Sequence, residues 1–134
     1  MRIDIYHHGD DALWTALGPY FCDRAVHREL GGPIYSTIGT TWLVGRDVSG
    51  QVIGFVSMRG NGKVTWLDYA YVVPASRGKG VFTCLSADRG RLAKDSKLPL
   101  RTVVRQIRWK HYRERGWKIE SKRGSWIYAV KEVS

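Results

Sequence analysis

Two places in this sequence combine residue types that could do chemistry, and a third sets aromatics among cations. The first is Arg77-Gly78-Lys79-Gly80, which follows a β-branched and aromatic run from Val64 to Val73, closed by Pro74, and precedes a helical pattern. Glycines one residue apart let the backbone approach a ligand, because no Cβ intervenes, and successive N–H groups can then point into one concavity at a helix N-terminus. Such a concavity suits phosphate, with Arg77 and Lys79 as mobile cations at its rim. The Gly-Lys-Ser/Thr ending of a Walker loop is absent, and so is the three-glycine spacing of a dinucleotide fingerprint, which leaves another phosphate-bearing ligand. An ordinary strand-to-helix turn explains the same glycines. The second place is Asp68, a carboxylate inside an apolar strand pattern, costly unless solvated or paired; a salt bridge to a nearby Arg or Lys is the plain alternative to a catalytic base. The third is Trp109 and Tyr112 among arginines, aromatics that pack in a core or stack on bases.

The elements that must position these residues follow from periodicity. Arg2 to Tyr6 reads as a short strand. A helix is expected over Ala12–Leu17, stopped by Gly18-Pro19, with Pro19 opening a second helix that ends at Gly31-Gly32-Pro33. Thr40–Arg46 and Gln51–Met58 read as strands joined by the turn 47–50, and Asn61-Gly62 turns the second of them into the central strand, so three antiparallel strands result. After the glycine loop, Phe82, Leu85, Arg89 and Leu92 recur at helical spacing and predict an amphipathic helix on the sheet. Leu98–Val104 is a strand parallel to the central one, since a helix separates them. A basic helix from Gln106 to Arg115 closes at Gly116, and a hairpin around Lys122-Arg123-Gly124 ends the chain.

Composition bounds the answer. At 134 residues and 15.3 kDa the chain fits one domain, 1–134, with a core large enough to need no metal or disulfide. No apolar run approaches the ~18 residues a membrane span requires, and the N-terminus lacks a signal peptide's apolar core, so a cytoplasmic, membrane-free protein is expected. Cys22 and Cys84, with no Cys-x-x-Cys spacing, read as buried reduced thiols, and the four histidines lack metal-ligand spacing. Residues 1–60 carry five Arg/Lys against six Asp/Glu, whereas residues 61–134 carry seventeen against six. Nine cations lie between Arg101 and Arg123, against two acids. A polyanion such as a nucleic acid or ribonucleoprotein is therefore a candidate partner, beside the plain reading of a solvated face.

The run Val72-Val73-Pro74-Ala75-Ser76-Arg77-Gly78-Lys79-Gly80-Val81 resembles the acetyl-CoA signature of the GCN5-related N-acetyltransferase (GNAT) superfamily, Arg/Gln-x-x-Gly-x-Gly/Ala. Tyr112-Arg113-Glu114-Arg115-Gly116-Trp117 is similar to that family's Tyr-x-x-x-Gly-Phe segment. The resemblance covers roughly Gln51 to Lys131, and one departure stands out: Phe82 occupies a position where the family prefers Gly or Ala. It implies an α/β (α+β) fold, a mixed, mostly antiparallel twisted sheet of about seven strands flanked by about four helices. It also implies acetyl-CoA as co-substrate and transfer of an acetyl group to an amine, with a homodimer compatible. Cofactor contacts would come from Val72, Val73, Arg77, Gly78, Lys79, Gly80, Val81 and Phe82, with the backbone of Val72 and Val73 along the pantetheine arm. Tyr112 matches the tyrosine that protonates the CoA thiolate, a task its ordinary pKa near 10 suits. Asp68 occupies the place of a carboxylate that receives the amine's proton, Glu114 is a reserve, and Ile34 to Gly39 forms a substrate-side wall. The charge asymmetry places the acceptor amine on or near nucleic acid or a ribosome. The alternative is a catalytically inactive GNAT-like module, its pyrophosphate seat blocked by Phe82, that binds nucleic acid through its basic C-terminal half.

Overall fold

The computed structural model describes residues 1–132, so the last two residues of the expected 1–134 span lie outside it. Seven strands, β1 (Arg2–His7), β2 (Thr40–Arg46), β3 (Val52–Gly60), β4 (Thr65–Val72), β5 (Leu100–Arg105), β6 (Lys118–Arg123) and β7 (Trp126–Lys131), form one sheet in the order β1-β2-β3-β4-β5-β7-β6. All neighbours run antiparallel except β4 and β5. The helices are α1 (Asp11–Phe21), α2 (Arg24–Leu30), α3 (Val81–Asp95) and α4 (Trp109–Arg113).

Strand alternation divides the core. Trp42 and Val44 of β2 and Phe55 of β3 face α1 and α2, where they meet Leu13, Leu17 and Val26. Leu43 and Val56, one residue along, face α3 and pack on Val81 and Leu85. Leu67, Leu100, Val104, Trp117 and Ile127 make a third cluster under α4 and the terminal hairpin. Each such full burial contributes about 1.5–3 kcal/mol.

Gly18-Pro19 does not end the first helix, contrary to expectation: α1 runs through both to Phe21. The gain lies in tertiary packing, since Phe21 meets Trp42 at 5.2 Å and Tyr20 meets Phe55 at 5.6 Å between ring centroids. The second helix begins instead at Asp23, whose side chain accepts from the Ala25 and Val26 amides, and it ends at left-handed Gly31. The basic helix expected over Gln106–Arg115 is shorter, a 3-10 turn at Gln106–Arg108 followed by α4. The cysteines are exposed rather than buried. Cys22 caps the C-terminus of α1, and Cys84 is off the stripe Val81, Leu85, Arg89, Ala93 by which α3 meets the sheet.

Candidate active-site cleft

Two local devices open the sheet at its centre. In β4, Asp68 and Tyr69 together oppose Ser57 of β3, a bulge closed by the Tyr69 amide donating to Ser57 Oγ at 3.0 Å. A bulge re-aims the side chains beside it, here Asp68. On the other edge, β4 pairs with β5 only over Thr65–Leu67, where Thr102 Oγ1 donates to the Leu67 carbonyl at 2.8 Å. Beyond Leu67 the two strands part, and a cleft of about 700 Å³ fills the opening.

The glycine loop forms one end of this cleft. After a 3-10 turn at Pro74–Ser76, Gly78 and Gly80 take φ of +76° and +82°, so the chain turns back into α3 with Gly80 as its N-cap. Among the described residues, no amide from Gly78 to Thr83 donates to a protein acceptor. A cluster of unpaired amides at a fifteen-residue helix's N-terminus favours an anion, and a Cβ at Gly78 or Gly80 would meet nothing within 4 Å, so the concavity is open. Phe82 does not fill it. Its ring packs against the Leu43, Val56, Val81 and Leu85 cluster and forms one wall.

Three of the residues proposed for the cofactor sit differently from expectation. Arg77 is not a mobile rim cation: Nε donates to the Val72 carbonyl at 2.9 Å, Nη2 pairs with Glu29 at 2.7 Å, and the guanidinium lies over the Tyr71 ring. Val73 has its amide on the Ile53 carbonyl, so that donor is spent, and its carbonyl already accepts from the Ser76 amide. By strand alternation Val72 turns the other way, toward the side that β5 has vacated. Lys79 is exposed and outside the cleft lining, whereas Val72, Arg77, Gly78, Gly80, Val81 and Phe82 line it.

At the other end, Asp68 and Tyr112 line the same cleft. The phenol ring of Tyr112 packs edge-on against Trp117, 5.9 Å between centroids, where Gly116 turns the chain from α4 into the hairpin with φ of +90°. Asp68 accepts from Arg59 Nε at 3.1 Å, yet its carboxyl is held above the ordinary carboxylate value, because burial outweighs the pull of Arg59 and Arg89. Asp68 also borders a second pocket of about 290 Å³, shared with Tyr35, Thr37, Arg59 and Tyr69. The loop Ile34–Gly39 walls that pocket, tied to β4 by the Tyr35 amide donating to the Tyr69 hydroxyl at 3.0 Å. Glu114 lies elsewhere, exposed beside Lys110 on α4.

Sequence reasoning missed Arg89, a buried cation on α3 that lines the cleft. The signal was its position, a charged residue in a stripe otherwise made of Val81, Leu85 and Ala93.

By sequence the chain matches no protein-family model and no curated protein. By fold it is similar to Escherichia coli ElaA, with a TM-score of 0.80 at 15% identity, over 98% of this chain and 100% of that one. An acyl-CoA N-acyltransferase from Pseudomonas aeruginosa gives 0.77 at 15% identity, over 99% of both chains. The PaiA N-acetyltransferase from Thermoplasma acidophilum, solved in complex with coenzyme A, gives 0.63 at 14% identity, over 98% of this chain and 99% of that one. The architecture is the GNAT fold.

Proposed function

We propose that this chain is an acyl-CoA-dependent N-acyltransferase, with acetyl-CoA as co-substrate and an amine as acceptor. One observation carries the reading: a single cleft joins the unpaired amides of Gly78–Thr83 to Tyr112 and Asp68, and Asp68 also opens onto the second pocket. The donor set fits a diphosphate, since main-chain N–H groups and a helix terminus suit it without a metal-binding cluster. Gly78, Gly80, Val81 and Phe82 would hold that end, with the backbone of Val72 alongside the arm. Bound acetyl-CoA supplies an acyl thioester. The Asp68 carboxylate takes the proton of an amine entering past Tyr35, directly or through water, as the N–C bond forms and the C–S bond breaks. The Tyr112 hydroxyl gives its proton to the departing sulfur, and the proton held by Asp68 returns to Tyr112 through solvent before the next turnover. Calorimetric titration with acetyl-CoA tests the reading: saturable binding is expected, and none at millimolar ligand removes it.

A second observation bears on the acceptor. From Arg105 to Arg123 the eight cations are all exposed, Arg105 and Arg108 border the cleft, and Arg105 and Arg123 stack on Trp126 and Tyr128 at 4.6 and 5.4 Å. This face favours an amine presented on or beside a nucleic acid or ribonucleoprotein. Nucleic-acid binding that persists without any acetyl-CoA binding would support a non-catalytic module instead.

A further inference from the structure

Arg89 occupies a position where α3 otherwise buries apolar residues, and it is 4% exposed. Desolvation pulls its guanidinium down to about 10, which leaves it a cation at neutral pH. A charge removed this far from water is retained only with compensating partners, and its own are incomplete. Nη1 donates to the carbonyls of Ser57 and Tyr69, at 3.1 and 3.2 Å, both at the β4 bulge. Nε is buried with no acceptor, Nη2 makes no hydrogen bond, and among the described residues no carboxylate lies within ion-pair distance. Asp68, the carboxylate whose charge reaches it, is bound to Arg59.

Of the two unused nitrogens, Nε is closed even to water, so Nη2 is the one left to meet a ligand. The bulge carbonyls hold the planar guanidinium through Nη1 in a fixed orientation, and Nη2 offers one charge-assisted bond to a carboxylate. Arg89 borders the cleft together with Thr102 and Tyr112. Along α3 it stands eight residues from Val81, about 12 Å at the helical rise, so the anion it awaits is not the one at the glycine loop.

We propose that Arg89 forms a carboxylate subsite at the inner end of the cleft, which takes the terminal carboxylate of a dicarboxylic acyl group, malonyl or succinyl in length, carried on the thioester. This rests on the acyl-CoA reading above. An acetyl methyl leaves Nη2 unmatched, whereas a second carboxylate pairs with it.

Titration calorimetry of the full chain with CoA, acetyl-CoA, malonyl-CoA and succinyl-CoA tests the subsite. One of the two dicarboxylic thioesters binds tighter than acetyl-CoA by about tenfold or more, as a charge-assisted pair predicts. Arg89→Lys, which keeps the charge and loses the planar group that the bulge carbonyls orient, lowers that ratio, and Arg89→Met brings it close to one, with thermal melts showing that each variant is folded. The wild-type comparison decides the matter even if a variant does not fold. Equal wild-type affinities for all three thioesters overturn the subsite and leave the acyl-CoA reading standing; no binding of any CoA species overturns both.

Discussion

Replacing Gly54 by alanine tests whether the close seating of α3 on β3 shapes the amide concavity. Gly54 pairs with Val72, and a Cβ there would lie 2.9 Å from the Tyr71 carbonyl oxygen, 3.1 Å from Val81 Cγ1 and 3.3 Å from Leu85 Cδ1. The two side chains can yield by rotation. The carbonyl cannot, because it belongs to the strand that forms the cleft edge. Overpacking of this kind costs about 1–3 kcal/mol. For a chain of 134 residues, 1 kcal/mol corresponds to roughly 3–6 °C, so Tm should fall by roughly 3–18 °C. Val81 is the first residue of α3 and follows Gly80, so its displacement moves the amides themselves, and acetyl-CoA affinity should fall by about tenfold or more. Gly62→Ala is the control. Gly62 has φ of +85° and nothing within 4 Å of a Cβ, in the turn at the opposite end of β3, so it loses only the ~1–2 kcal/mol of left-handed strain. Its Tm should drop with affinity unchanged. Thermal melts and calorimetry on both variants are sufficient. A Gly54→Ala protein as stable as wild type, or one that is destabilised yet binds acetyl-CoA unchanged, would refute the reasoning.

Tyr112→Phe should lower turnover by about 10²–10⁴-fold while acetyl-CoA affinity changes little, and an unchanged rate would remove the phenol from the proton path. Asp68 has a raised folded-state pKa, so the unfolded chain releases that proton first as pH rises. Its contribution to stability is therefore fully present below the ordinary value of 3.8 and is lost as pH climbs through the raised folded value. Asp68→Asn should gain in Tm relative to wild type between about pH 3 and pH 7, and parallel melting curves would contradict the assigned burial. Phe82→Gly should weaken acetyl-CoA binding by removing a cleft wall; tighter binding would mean the ring obstructs the site. Affinity for an acceptor carried on nucleic acid should fall steeply with salt, and a flat response would indicate a small amine or free peptide.

Much of this protein was legible in the chain alone, for a local reason. Asn61-Gly62 and the 47–50 segment turn where residues tolerant of positive φ stand between alternating strands, and Gly31 and Gly116 end helices because the chain adopts left-handed φ there. Gly78 and Gly80 offered an amide concavity, beside the reading of an ordinary strand-to-helix turn, before any packing was known, since their conformational freedom belongs to the residue itself. The three antiparallel strands, the parallel β4–β5 pair and the terminal hairpin followed from such signals together with the resemblance to the GNAT pattern, whereas the place of β7 between β5 and β6 did not.

What required the tertiary structure were the effects of residues distant in sequence. Pro19 remains inside α1 because Tyr20 and Phe21 reach Phe55 and Trp42. Arg77 is neutralised by Glu29, a residue forty-eight positions away. Val73 and Val72, adjacent in sequence, differ because the Val73 amide is spent on the Ile53 carbonyl of β3, whereas Val72, opposite Gly54, turns its amide away from β3. Asp68 is both paired and raised because a bulge places it between two pockets, and β5 leaves β4 after Leu67 to open the cleft that Arg89 lines from below. Periodicity marks which face a residue occupies, and so could read Arg89 only as part of a stripe. Whether a buried charge finds its counter-charge depends on which distant atoms the fold brings within a few ångströms, and that is decided in three dimensions.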